Sequence, residues 1–439
     1  MPSMQDSLLQ RSLAAVWHPC TQMKQHDSAS QSPLPLLPIA RGEGPWLIGT
    51  DGQRWLDGIS SWWVNLFGHC NPRINAALRE QLDTLEHVLL AGCTHAPVVE
   101  LSERLAALTG GELGHCFYGS DGASATEIAL KMSAHYWRNV GRPEKNRYLC
   151  LAGGYHGETV GALGVTDIAI FRDAYAPLIR AATVLPSPDA RNGPDAARIA
   201  ADALAGHLAA HHGETAALIL EPLVQCAAGM AMHDPEYLRL ARTVCDRHEV
   251  HLICDEIAVG CGRTGSFFAH QQAGIRPDFL CLSKGITGGY LPLSVVMTRD
   301  AIYEAFLDDA TARGFLHSHS YTGNPLACRA ALATLDIFAQ DDVLAANAAL
   351  GARIDARLRP LAAHPKVRHY RRRGMIFAFD VTADPGFGRR YYRAALERGV
   401  LMRPIGNTVY TMPPYVLGDE QVELLGRVAA DALHEALTT

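Results

Sequence analysis

Between residues 115 and 282, short apolar runs alternate with helical stretches, and this alternation restricts the fold more than any other feature of the chain. Residues 115–118, 147–151, 216–220, 250–254 and 279–282 read as strands, each bounded by glycine, proline or charged residues. A helical pattern over about 123–138 and another opened by Asp234-Pro235 and running to about His248 separate some of them. Parallel strands need long crossovers, usually helices, so the pattern predicts an α/β domain with a mostly parallel sheet. Ligands of such sheets bind beyond the carboxyl ends of the strands. After about residue 330 the pattern changes to Ala/Leu-rich helices with strands near 375–379, 400–402 and 409–412, and we expect a second, smaller α+β domain there. The expected division is 1–65 as an N-terminal segment, 66–330 as the large domain and 331–439 as the small one.

The polar candidates cluster at strand ends. The run Phe279 to Leu282 ends in Ser283-Lys284-Gly285, a lone lysine in an apolar setting. Desolvation would favour its neutral, nucleophilic amine, although a lysine that merely begins a surface loop fits the same letters. Asp255 ends the run 250–254, where it is either a functional carboxylate or a helix cap or structural ion partner. A lysine that forms an imine and an aspartate that keeps a pyridine nitrogen protonated are the minimum apparatus for pyridoxal phosphate chemistry. Gly119-Ser120-Asp121-Gly122-Ala123-Ser124 lies between a strand and a helix, a phosphate cradle or an ordinary turn. The Asp121 charge would repel a phosphate, so its side chain should cap the helix and point away. Tyr155, in Tyr155-His156-Gly157, offers a ring for stacking on a flat cofactor or for packing on the core. Trp62-Trp63, read as strand, should turn one ring to a pocket and one away. Arg403 either clamps a carboxylate or ends a strand in solvent.

Other readings fall away. Gly260-Cys261-Gly262-Arg263-Thr264-Gly265 matches a dinucleotide fingerprint in letters, but five residues separate it from the strand before it. His317 and His319 have no carboxylate or cysteine at ligand spacing, so no metal site is expected. Arg371-Arg372-Arg373 reads as an exposed run. A net charge of −6 gives no electrostatic case for nucleic acid or an anionic membrane, and no apolar run reaches the length of a bilayer span. Residues 1–10 lack a signal-peptide pattern, and eleven cysteines without a Cys-x-x-Cys pair suggest reduced thiols in a cytoplasmic protein.

Taken together, Leu252-Ile253-Cys254-Asp255-Glu256-Ile257, Gly262-Arg263-Thr264-Gly265, Pro277-Asp278 and Ser283-Lys284-Gly285 resemble the long signature of the class III aminotransferases, pyridoxal-phosphate enzymes of fold type I. The resemblance covers essentially the whole chain. It implies a seven-stranded large domain and a small domain built from both chain ends. It implies that Lys284 carries pyridoxal 5′-phosphate, that Asp255 pairs with the pyridine nitrogen, that Asp121, Gly122 and Ala123 surround the phosphate, and that Tyr155 stacks on the ring. Trp17-His18-Pro19, Ser61-Trp62-Trp63, Gly323-Asn324-Pro325 and Arg403-Pro404-Ile405-Gly406-Asn407 are similar to markers of the branch that aminates 8-amino-7-oxononanoate in biotin synthesis. On that likeness Trp62, Tyr155, Ser318 and Arg403 bind substrate, with Arg403 on the oxononanoate carboxylate. His319 and Ser320 would reach the cofactor phosphate of a partner subunit, making a homodimer with shared sites. Two departures stand out. Cys20 occupies a place where that branch often has tyrosine, and His317-Ser318-His319-Ser320-Tyr321 resembles the lysine-using members. S-adenosylmethionine is the expected donor, with lysine as the alternative. Ornithine- or 4-aminobutyrate-type amines, or non-catalytic cofactor binding, are the remaining readings.

Overall fold

The computed structural model describes residues 4–26 and 34–438. Its centre is a seven-stranded sheet in the order His115–Gly119, Ser294–Thr298, Phe279–Leu282, His251–Asp255, Thr215–Leu220, Arg147–Leu151, Thr183–Leu185. Ser294–Thr298 runs antiparallel to both neighbours, and the other pairings are parallel. The central strands are buried along their whole length, which is why they read as unbroken apolar runs. Successive side chains take opposite faces. Ile219, Ile253, Phe279 and Cys281 pack with Ala125, Ile128, Ala129 and Met132 of the helix Gly122–Asn139. Leu218, Leu252, Leu280 and Leu282 join Leu204, Leu238 and Ala241 of the helices Ala196–His211 and Pro235–Arg247 on the other face.

The C-terminal part has its own core. The antiparallel strands Val367–Arg373, Ile376–Val381 and Thr408–Thr411 pack on the helices Val343–Leu358, Phe387–Glu397 and Asp419–Thr438. The N-terminal hairpin pairs Trp46 with Leu56, and its strand Arg54–Asp57 then pairs in parallel with Val400–Leu401. Leu56 is thereby buried in the C-terminal core. The large sheet's core continues through Trp63, Leu66 and Phe67, so residues 56–67 tie the two cores together.

Several local expectations change. Gln10 to Val16, short enough in sequence to suggest one or two helical turns, belongs up to Ala15 to a longer helix, Met4–Ala15. The Ser- and Pro-rich stretch 24–38 begins with a 3-10 turn, Met23–His26, and residues 27–33 of it lie outside the described residues. The Trp62-Trp63 pair is not on a strand. Ser60, Ser61, Trp62 and Trp63 all have positive φ (52°, 46°, 72° and 72°) and form one left-handed turn, a conformation costing about 1–2 kcal/mol per L-residue. Polar contacts hold it. Ser61 donates its backbone N–H and hydroxyl to the buried Asp57 carboxylate (2.9 and 2.7 Å), and Ser60 Oγ donates to Met412 O (2.7 Å). The arginine triplet is not an exposed run either. It ends a paired strand, and Arg371 is nearly buried with its guanidinium 2.8 Å from Asp380. Among the described residues no helix is long and apolar enough to cross a membrane, and no cluster of potential metal ligands occurs.

Candidate active site

The carboxyl ends of five strands open onto one cavity of about 250 Å³. Lys284, Asp255 and Glu221 each follow or end a central strand. Asp121, Gly122 and Ala123 come from the turn after His115–Gly119, and Tyr155 to Glu158 from the loop after Arg147–Leu151. Two glycines set the closeness of these pieces. At Gly157, φ is +116° and a Cβ would lie 2.6 Å from that of Ala123, so the tyrosine loop can rest on the helix start. At Gly289, φ is +87° and a Cβ would lie 2.9 Å from the Val64 and Asn65 backbone. That contact docks the left-handed turn over the lysine loop and sets the Trp63 ring centre 5.5 Å from Lys284 Nζ.

Lys284 has φ +46°, an unusual conformation for a non-glycine residue, which projects it from the strand end into the cavity. Burial lowers its pKa, and the nearby Asp255 carboxylate is the largest influence opposing this. The amine is therefore biased toward its neutral, nucleophilic form. Asp255 is buried, and both oxygens are fixed: Oδ2 lies 2.7 Å from His156 Nδ1 and Oδ1 accepts from Ile257 N–H (3.0 Å). A carboxylate opposite requires Nδ1 of His156 to carry a proton, which leaves Nε2 buried without a partner. Glu221 accepts from the backbone N–H groups of Tyr155 (3.1 Å) and Cys226 (3.0 Å), and full burial raises its pKa to about 7.

The phosphate-side residues are arranged as a helix start. Asp121 caps Gly122–Asn139 by accepting from Ser124 N–H (2.8 Å), as its sequence position predicts. Gly122 and Ala123, in the first turn, line the cavity, and the early N–H groups of a helix have no intrahelical partners. At the mouth, Tyr155 donates its hydroxyl to Glu158 Oε1 (2.8 Å). Trp62 lies outside the cavity lining, 42% exposed, with the Arg403 guanidinium 5.1 Å from its ring centre. Arg403 also donates to Cys20 O (3.4 Å). Ser318 and Ser320 are exposed. His319 sits between Ser120 Oγ (3.5 Å) and His317 Nε2 (3.0 Å), and His317 in turn faces Lys131 Nζ at 2.7 Å. Sequence reasoning misses His156, Glu221 and Glu158 as part of this site, and of the tryptophan pair, one ring of which it sends to a pocket, Trp63 is the one that lines the cavity. Glu221 is within its reach, because it follows a strand just as Asp255 does.

One buried amine, one buried and oriented carboxylate, a helix start and an unpartnered imidazole nitrogen make a donor set that fits pyridoxal phosphate. An aldehyde, a protonatable ring nitrogen and a phosphate each find a matching group. Comparison with known proteins agrees. The family description "Aminotransferase class-III" matches residues 27–433. An adenosylmethionine-8-amino-7-oxononanoate aminotransferase of Helicobacter pylori is 44% identical over 95% of this chain and 96% of its own. The crystal structure of the protein of that name from Methanocaldococcus jannaschii superposes with a TM-score of 0.91 at 33% identity, covering 98% of this chain and 99% of the other. A PLP-bound amine transaminase from an uncultivated Pseudomonas species gives a TM-score of 0.90 at 33% identity, covering 96% and 99%. The chain belongs to the class III aminotransferases.

Proposed function

We propose that this protein transfers an amino group from S-adenosylmethionine to 8-amino-7-oxononanoate, forming 7,8-diaminononanoate for biotin synthesis, with pyridoxal 5′-phosphate as cofactor. The observation that carries the transamination is the Lys284 amine and the His156-held Asp255 carboxylate in one buried cavity. The substrate pair is taken from the names of the relatives, which agree along nearly the full length of the chain.

Bound in the cavity, pyridoxal phosphate supplies an aldehyde that holds the amino group and a protonated ring that withdraws the electron pair left when Cα is deprotonated. Lys284 Nζ would hold the cofactor's aldehyde, and the same amine is placed to take up a Cα proton and give it back. Its lowered pKa suits an amine that must take a proton and give it back. Asp255, clamped by His156 and Ile257 N–H, holds the ring-nitrogen proton without freedom to rotate away. Trp63 covers the lysine side and limits water entry. Tyr155 flanks the cofactor ring and Trp62 the substrate chain. Arg403, beside Trp62 at the mouth, binds the oxononanoate carboxylate. Asp121 orients the helix start whose N–H groups hold the phosphate.

Two subunits share these sites in the same reading, His319 and Ser320 reaching the partner's cofactor phosphate. Exposed Leu316 and Tyr321 on that segment, 75% and 65% accessible in the single chain, support burial against a second copy. The free cysteines fit a cytoplasmic enzyme. A half-reaction followed spectrophotometrically, with adenosylmethionine and lysine side by side, tests the donor. Conversion of the cofactor by adenosylmethionine alone is expected, and conversion by lysine alone would reassign it. Because one site takes two substrates in turn, double-reciprocal plots should be parallel, and intersecting lines would count against the scheme.

A further inference from the structure

The seam between the two cores contains another cavity, of about 360 Å³. It is lined by the Gly262–Gly265 loop, Gln272, the helix Val343–Leu358 at Asn347, and the arginine-rich strand end at Arg372, Arg373 and Gly374. No aspartate or glutamate lines it, while two guanidinium groups do.

Asn347 is 3% exposed, and both atoms of its amide, Nδ2 and Oδ1, are buried without a partner. Leaving buried polar atoms unpaired costs about 1–3 kcal/mol each, so an unpartnered amide in a cavity wall points to an occupant. Arg373 uses one terminal nitrogen on His233 O (3.3 Å) and the other on Gln272 Oε1 (3.5 Å), a long contact, and its Nε is buried and unpaired. The charge of Asp234 partly offsets that of Arg373, but the Asp234 carboxylate caps its own helix at Glu236 N–H (2.7 Å). Arg372 is tied to Gly374 O (3.0 Å). Gly265 presents bare backbone, with φ +109° and no atom nearer than 3.9 Å to where a Cβ would stand.

We propose that this cavity binds a small oxyanion that also carries an O–H group, of the hydrogen-phosphate or hydroxycarboxylate kind. The guanidinium groups and Asn347 Nδ2–H donate to its oxygens, and its hydroxyl donates to Asn347 Oδ1. None of these residues touches the lysine cavity, so the site is separate from the one that holds the cofactor.

The test is equilibrium dialysis of radiolabelled inorganic phosphate against holoenzyme desalted of excess cofactor, with sulfate as competitor. Sulfate has the same shape but no O–H at neutral pH. Saturable binding of one phosphate per chain is expected, about ten-fold weaker competition by sulfate, and loss of about ten-fold or more in affinity in Asn347→Leu. Arg373→Gln, which keeps a donor but removes the charge, should weaken binding similarly and serves if the leucine variant does not fold. Absence of saturable binding, equal competition by sulfate, or full affinity in the variants overturns the proposal.

Discussion

Arg263 joins three parts of the chain, and replacing it tests how the site is built. Arg263 is 1% exposed, and among the described residues no carboxylate forms an ion pair with its guanidinium. It donates instead to Pro413 O (2.7 Å), Asn65 O (2.9 Å) and Trp63 O (3.3 Å), and lies 4.9 Å from the Tyr415 ring centre. Its backbone carbonyl accepts from Met375 N–H (2.9 Å), so the same residue fastens the C-terminal strands. Burial lowers its pKa, which signals the cost of keeping that charge inside. In Arg263→Met, three buried carbonyls lose their donor and a cation–π contact disappears, about 5 kcal/mol together. Relief of the buried charge returns roughly 2 kcal/mol, leaving a loss of about 3 kcal/mol. Urea unfolding of wild type and variant, matched in cofactor content, measures it. Since two of the stranded carbonyls belong to Trp63 and Asn65, cofactor retention should also fall, by about ten-fold or more. A loss under about 1 kcal/mol with unchanged retention would refute the reasoning, because the guanidinium would then not be holding the wall of the cavity.

Three further outcomes are expected. Arg403→Ala should raise KM for 8-amino-7-oxononanoate about ten-fold or more while changing that for the donor much less; equal changes for both substrates would remove its assigned role. The Glu221 carboxyl, raised from 4.5 to about 7 by burial, keeps its proton in the folded protein where the unfolded chain has lost it. Its contribution is therefore fully present below about pH 4.5 and lost as pH rises through about 7, a fall of roughly 3 kcal/mol that Glu221→Gln should flatten in urea titrations between about pH 5 and pH 8. His156→Phe strips a buried carboxylate oxygen of Asp255 of its partner at 2.7 Å, and cofactor affinity should drop by about ten-fold or more, measured by fluorescence titration of apoprotein.

Much of this is legible in the letters because the chemistry sits where strands end. Asp255 and Lys284 close two adjacent parallel strands, with Cys254 beside Leu280, so their convergence follows from the alternation of strand and helix. Asp121 is readable as a cap because a helix start has donors to satisfy. The tryptophan pair misleads for a physical reason. Four consecutive left-handed residues leave no periodic trace in a sequence, and one of the groups that hold them, Met412 O, comes from far along the chain. The arginine triplet misleads because charge suggests solvent, whereas Asp380 and the carbonyls of Gly229 and Met230 receive Arg371 from other strands and turns. His156 stands beside Tyr155, yet its contact with Asp255 spans 99 positions and becomes visible only when the loop folds over the sheet.

The central claim is that a single amine carries the cofactor. Borohydride reduction of the purified holoprotein, followed by proteolysis and mass spectrometry, should place a pyridoxyl group on the peptide containing Lys284, and Lys284→Ala should carry none and have no turnover. A pyridoxyl group on another side chain, or none on the wild type, would contradict the account.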